Sequence, residues 1–237
     1  SGCNFRLAKK DLLVVFLLSL LRATTSFSLL IAYQNIATGV ASTIHFMYPL
    51  AVSLAMMFFF HEKKSLLVML AVLMSLFGAA LLSSGELEAK SGDTIVGLVA
   101  ACISVFSYGG YIIGVRTTRA AQINSTVLTC YVMGMGAVLY LIGAMATFGL
   151  HLVTDGYIWL IILGLALPAT AISNITLVRA IKYAGPTLTS ILGAMEPLTA
   201  VVIGVFVFKE LFTLNSVIGI LLILLAVGMV VFRKQKS

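Results

Sequence analysis

Glu196 stands directly before Pro197 in LGAMEPLTAVV (192–202), a run that is otherwise almost wholly apolar. A carboxylate there can bind a cation or carry a proton. It needs a partner or a watery cavity, because a charge deep in hydrocarbon costs at least about 2.5 kcal/mol. Pro197 cannot donate to the carbonyl of Gly193, nor Pro49 to that of His45, so each proline leaves a polar backbone group at mid-helix. Such backbone is tolerated inside a bilayer only against protein or a water-filled cavity. Arg22 and His45 are the other ionisable side chains well inside apolar runs. Arg22 would attract an anionic group such as a carboxylate, and His45, one turn before Pro49, is either a hydrogen-bonded packing residue or a proton carrier. With polar lining from Tyr48, Tyr108, Tyr111 and Asn174, the expected substrate-binding set is Arg22, His45, Tyr48, Tyr108, Tyr111, Asn174 and Glu196. Pro49 and Pro197 are the expected helix kinks. Plainer roles exist for the same residues: Arg22 and Glu196 can pair to join two helices, and a kink can serve packing alone.

The elements that must position these groups are transmembrane helices. Of the 237 residues, 61% are apolar and 10% charged, whereas a soluble domain carries about a quarter of its residues charged. Apolar runs of about twenty residues recur, long enough to cross ~30 Å of hydrocarbon at ~1.5 Å per residue. No run alternates with period two as a membrane barrel strand would. The fold class is therefore an all-α integral membrane bundle, with eight spans expected at 12–33, 39–60, 65–83, 94–115, 125–149, 157–178, 187–208 and 213–232.

The formal net charge is +7, and its distribution gives orientation, not a nucleic-acid partner. Threading the spans alternately puts Arg6, Lys9, Lys10, Lys63, Lys64, Arg116, Arg119, Arg179, Lys182, Arg233, Lys234 and Lys236 on one side. Only Lys90 and Lys209 fall on the other. Basic residues accumulate on cytoplasmic loops, so both ends are expected in the cytoplasm and the chain in the plasma membrane. Cys3, Cys102 and Cys130 form no spaced framework. The segment 61-HEKKS-65 lacks the second histidine of a zinc protease helix. No phosphate loop, metal-ligand cluster or nucleophile triad is recognisable, so no enzyme activity, cofactor or metal is expected.

One segment is written twice. MYPLAVSLAMMFFFHEK (47–63) and MEPLTAVVIGVFVFKEL (195–211) align at an offset of 148, which superposes Pro49 on Pro197, Tyr48 on Glu196 and Glu62 on Glu210. The register continues upstream, from Ala32 to Ala180 and from Ser42 to Ser190. Such self-similarity marks an internal repeat, with residues 1–84 as a first copy of three helices and 92–237 as a second copy of five. The shorter copy is expected to lack two helices through truncation. Five helices per copy is odd, so consecutive copies enter the membrane from opposite sides. Inverted repeats of this kind build secondary transporters whose sites lie near the midplane.

The pattern IAYQNIATGVASTIHFMYPLAVSLAMMFFFHEK (31–63), its second version RAIKYAGPTLTSILGAMEPLTAVVIGVFVFKE (179–210) and the run VFSYGGYIIGVR (105–116) resemble the EamA-type transporters of the drug/metabolite transporter superfamily. The resemblance implies a bundle of ten helices in two inverted repeats, of which this chain carries helices three to ten. It also implies alternating access, usually in an exporter of metabolites. The expected function is secondary active export of small polar, amino-acid-like solutes, with a coupling proton or ion and the lipid bilayer as partners and a homodimer left open. The alternative is a non-transporting or degenerate membrane subunit without a complete pathway.

Overall fold

The computed structural model describes residues 7–62, 65–83, 92–147, 155–193, 195–196, 199 and 214–235. Among them no strand occurs. The helices are α1 (Lys9–Asn35), α2 (Thr38–His45), α3 (Tyr48–Phe59), α4 (Leu66–Ser83), α5 (Thr94–Thr117), α6 (Ser125–Thr147), α7 (Gly156–Gly164), α8 (Ser173–Ala184), α9 (Pro186–Leu192) and α10 (Leu214–Gln235). A 3-10 turn (Arg119–Gln122) leads into α6, and a π-helical segment (Leu165–Ile172) joins α7 to α8. Among the described residues five helical stretches are long and apolar enough to cross a membrane: Lys9–Asn35, Val40–Phe59, Thr94–Thr117, Ser125–Gly143 and Gly156–Ala184. Leu66–Leu81 and Val217–Met229 are shorter apolar helices. The expected span 187–208 begins as α9 and lies mostly outside the described residues.

Two expected spans are interrupted, each at a proline. The run 39–60 is two helices with a break at Phe46–Met47. The run 157–178 passes through the π-helical segment around Pro168 and continues to Ala184. There Thr170 Oγ1 donates to the carbonyl of Leu165 at 2.9 Å and Asn174 Nδ2 to that of Thr170 at 2.7 Å. Side-chain donors thus satisfy carbonyls in the widened turn, which is how membrane helices tolerate proline.

The chain forms two compact units. The first holds residues 1–23 and 114–185. In it α6 packs on α8. Arg119 Nε meets Asp11 Oδ1 at 2.8 Å, Arg116 donates to the carbonyl of Lys182, and Lys182 Nζ donates to that of Ile123. The second unit holds residues 24–113 and 186–237. Its principal contact is α4 on α10, with α3 on α9 beside it. Small residues set that packing: Ala71, Val72, Ile191 and Ala226 form a buried cluster, and an added Cβ on Gly78 would lie 2.8 Å from the carbonyl oxygen of Gly219. Without water to drive association, close backbone approach of this kind holds membrane helices together.

At the end of α3, His61 adopts φ 54° and the N–H of Glu62 donates to the carbonyl of Met56 at 3.0 Å. This turn carries the Glu62 carboxylate to the start of α9, where Thr187 Oγ1 donates to Oε2 at 2.6 Å. The acid that ends the first copy of the repeated segment therefore tethers a helix of the second. Replacing Thr187 with Val should remove one charge-assisted hydrogen bond, worth about 1.5–3 kcal/mol. A lower melting temperature of the purified protein checks this, and Thr187→Ser should retain the wild-type value.

Candidate functional site

Pro49 organises the site. Its ring would clash with the carbonyl of His45, four residues back, if one helix ran through. The expectation was a single kinked helix with that carbonyl freed. Instead α2 ends at His45 and α3 restarts at Tyr48, with Pro49 in its first turn. Phe46 N donates to Ser42 O, and Met47 N closes a tighter turn onto Ile44 O, both at 2.9 Å. The Met47 carbonyl then accepts from Leu50 and Ala51. The restart sets His45 and Tyr48 on the two sides of the break.

The opposing wall comes from α5. Ser104, Tyr108 and Tyr111 are spaced i, i+4 and i+7 and so share one helix face. His45 Nδ1 lies 2.9 Å from Ser104 Oγ. The His45 ring centroid is 5.6 Å from that of Tyr48 and 5.4 Å from that of Tyr108. Tyr48 meets Tyr108 edge-on at 4.7 Å and 80°, and Tyr108 lies parallel to Tyr111 at 6.4 Å. Edge-to-face and offset arrangements suit the ring quadrupoles. All three tyrosines are buried, Tyr48 at 1% and Tyr111 at 0% exposure.

The hydrogen bonds fix the histidine tautomer. Ser104 Oγ donates its one proton to the carbonyl of Ala101 at 2.6 Å, so toward His45 it can only accept. His45 Nδ1 is therefore the protonated nitrogen, and in the neutral ring Nε2 is the basic one. Nitrogen-15 spectra of labelled protein should show the His45 ring protonated at Nδ1, and Ser104→Ala should let the two tautomers mix. A ring protonated at Nε2 alone in the wild type would reverse the assignment.

Glu196 sits in the helical residues that follow α9, its N–H donating to the carbonyl of Gly193 at 2.9 Å. Its side chain is exposed. Gly193 is what lets Tyr48 come so close, because a Cβ at that position would overlap the tyrosine hydroxyl. The structure thus brings five sequence-chosen residues into the second unit, namely His45, Tyr48, Tyr108, Tyr111 and Glu196. It adds Ser104 and Gly193, which composition alone did not single out. Ser104 was legible only as a residue one turn from Tyr108.

Arg22 and Asn174 belong to the first unit. Arg22 is the middle residue of α1 and its Nε is buried. Asn174 is 5% exposed, and its Oδ1 has no hydrogen-bond partner among the described residues. Pro49 marks a break, and Pro197 lies outside the described residues. Pro168 is the proline that sequence reading passed over; its signal was a proline within an uninterrupted apolar run. Among the described residues no group of His, Cys, Asp and Glu could hold a metal ion.

Residues 95–232, more than half of the chain, match the model of the EamA-like transporter family. The chain belongs to that family. An EamA-like protein of the drug/metabolite transporter superfamily is a membrane transporter, and the family is one of transporters, not enzymes. With its long apolar helices, this EamA-like transporter is an integral membrane protein. A crystal structure of another protein shares the fold, with TM-score 0.81 and 18% identity over 98% of this chain and 80% of that one. Among curated proteins, none matches the sequence.

Proposed function

We propose that this EamA-like transporter is a secondary exporter of small polar, amino-acid-like metabolites, working by alternating access between two inverted repeats in the plasma membrane. Both of its termini face the cytoplasm. The observation that carries the reading is the cluster of His45, Tyr48, Tyr108 and Tyr111 around a broken helix, with Glu196 three residues beyond the Gly193 that meets the Tyr48 hydroxyl. In this reading the rings and the histidine contact the solute, and Glu196 binds its ammonium group or carries the coupling proton. Within the first unit taken by itself, Arg22 attracts an anionic group and Asn174 offers its buried Oδ1 as an acceptor.

The helix boundaries support the repeat. Thr38 and Pro186, which open α2 and α9, are 148 apart, and so are Leu66 and Leu214, which open α4 and α10. Equivalent helices packing in pairs, as α4 does on α10, is what a two-fold axis between inverted copies requires.

The test is efflux from proteoliposomes loaded with a defined mixture of amino acids. At least one should leave faster than from protein-free vesicles, and Glu196→Gln and Arg22→Ala should each slow that flux. No protein-dependent efflux would favour a non-transporting subunit, and unchanged flux in both variants would remove the assigned roles.

A further inference from the structure

The first unit carries a groove between α1 and α6 that plays no part in the site above. Its volume is about 590 Å³, and Phe16, Cys130, Tyr131, Gly134, Val138 and Ile142 are among its lining residues. The two helices are tied on either side of it. Asp11 binds Arg119 at one end, and at the other Tyr140 Oη donates to the carbonyl of Ala23 at 3.3 Å. Between these ties the faces stay apart, and an added Cβ on Gly134 meets nothing within 4 Å.

Length and charge together select an occupant. From Cys130 to Ile142 the groove follows twelve residues of α6, or about 18 Å. One leaflet of hydrocarbon is about 15 Å deep, so the groove matches the length of one acyl chain. One end of the groove is basic. Lys9 and Lys10 are exposed at the start of α1, about 10 Å along the helix from Phe16. Arg119 is half exposed beside them and already neutralises Asp11. We propose that this groove binds one anionic phospholipid, with an acyl chain against α6 and the phosphate at Lys9 and Lys10.

The test is native mass spectrometry of the delipidated full chain titrated with phosphatidylglycerol or phosphatidylcholine of identical acyl chains. A single phosphatidylglycerol should be retained at a concentration roughly thirtyfold lower than phosphatidylcholine, the size of preference two lysines confer near an anionic headgroup. Gly134→Leu should fill the groove and remove that retention. Lys9→Gln with Lys10→Gln, which leaves the groove intact, should bring phosphatidylglycerol down to the phosphatidylcholine level. Equal retention of both lipids by the wild type, or full phosphatidylglycerol preference in the lysine variant, would overturn the proposal. So would a dimer that Gly134→Leu dissociates, because the groove would then belong to a second copy. None of these readouts depends on transport, so the lipid site and the transport reading fail separately.

Discussion

Gly193→Ala is expected to disable the transporter. The new methyl would occupy the position of the Tyr48 hydroxyl and also press within 3.0 Å of the carbonyl oxygen of Ser190. Tyr48 is 1% exposed and packed on His45 and Tyr108, so moving it disturbs both rings. Overpacking of this kind costs about 1–3 kcal/mol. The functional loss should exceed what that instability accounts for, because the displaced ring belongs to the cluster proposed to contact the solute. Amino-acid efflux should fall about tenfold or more, equivalent to at least about 1.4 kcal/mol of barrier. The double variant Tyr48→Phe/Gly193→Ala separates clash from chemistry. Without the hydroxyl, adding the methyl should cost much less than it does in the wild type, a coupling that a thermodynamic cycle reads directly. Additive effects would show that Gly193 and Tyr48 do not meet.

The second large effect is expected at Gly78, where α4 meets α10. Any Cβ there lies 2.8 Å from both the Gly219 carbonyl oxygen and Ile223 Cγ1, and 3.3 Å from Leu222 Cβ. The nearest obstacle is backbone, which cannot rotate aside. Gly78→Leu should therefore separate the two helices and leave little folded protein in detergent. Gly78→Ala should be milder, losing about 1–3 kcal/mol and several degrees of melting temperature. If both variants melt with the wild type, α4 and α10 do not approach as closely as described.

The helices were legible because hydrocarbon demands long apolar runs, and the repeat because Pro and Glu recur at one offset in a chain with few of either. The break at Phe46–Met47 was half legible. Pro49 announced a disturbance, but whether a helix bends or stops depends on what its neighbours can satisfy, here Ser42 and Ile44 carbonyls. The Ser104–Tyr108–Tyr111 face was visible as a spacing in α5, yet nothing in the sequence says that it meets the helix break and not lipid. Gly193 shows the same limit, since its necessity comes from a tyrosine 145 residues away in the chain. Pro168 is a plainer omission. A proline amid LGLALPATAI is as strong a signal as Pro49, and the π-helical segment around it is its consequence.

The central claim is that the ring cluster beside Glu196 contacts the transported solute. Its most direct test is the amino-acid efflux rate of Tyr48→Phe and Glu196→Gln in proteoliposomes, set against Arg179→Gln, an exposed position outside the cluster. The account predicts a fall of about tenfold in each of the first two, the loss of roughly one solute hydrogen bond or ion contact, and a control rate within about twofold of wild type. Equal rates in all three variants, at equal protein incorporation, would contradict it.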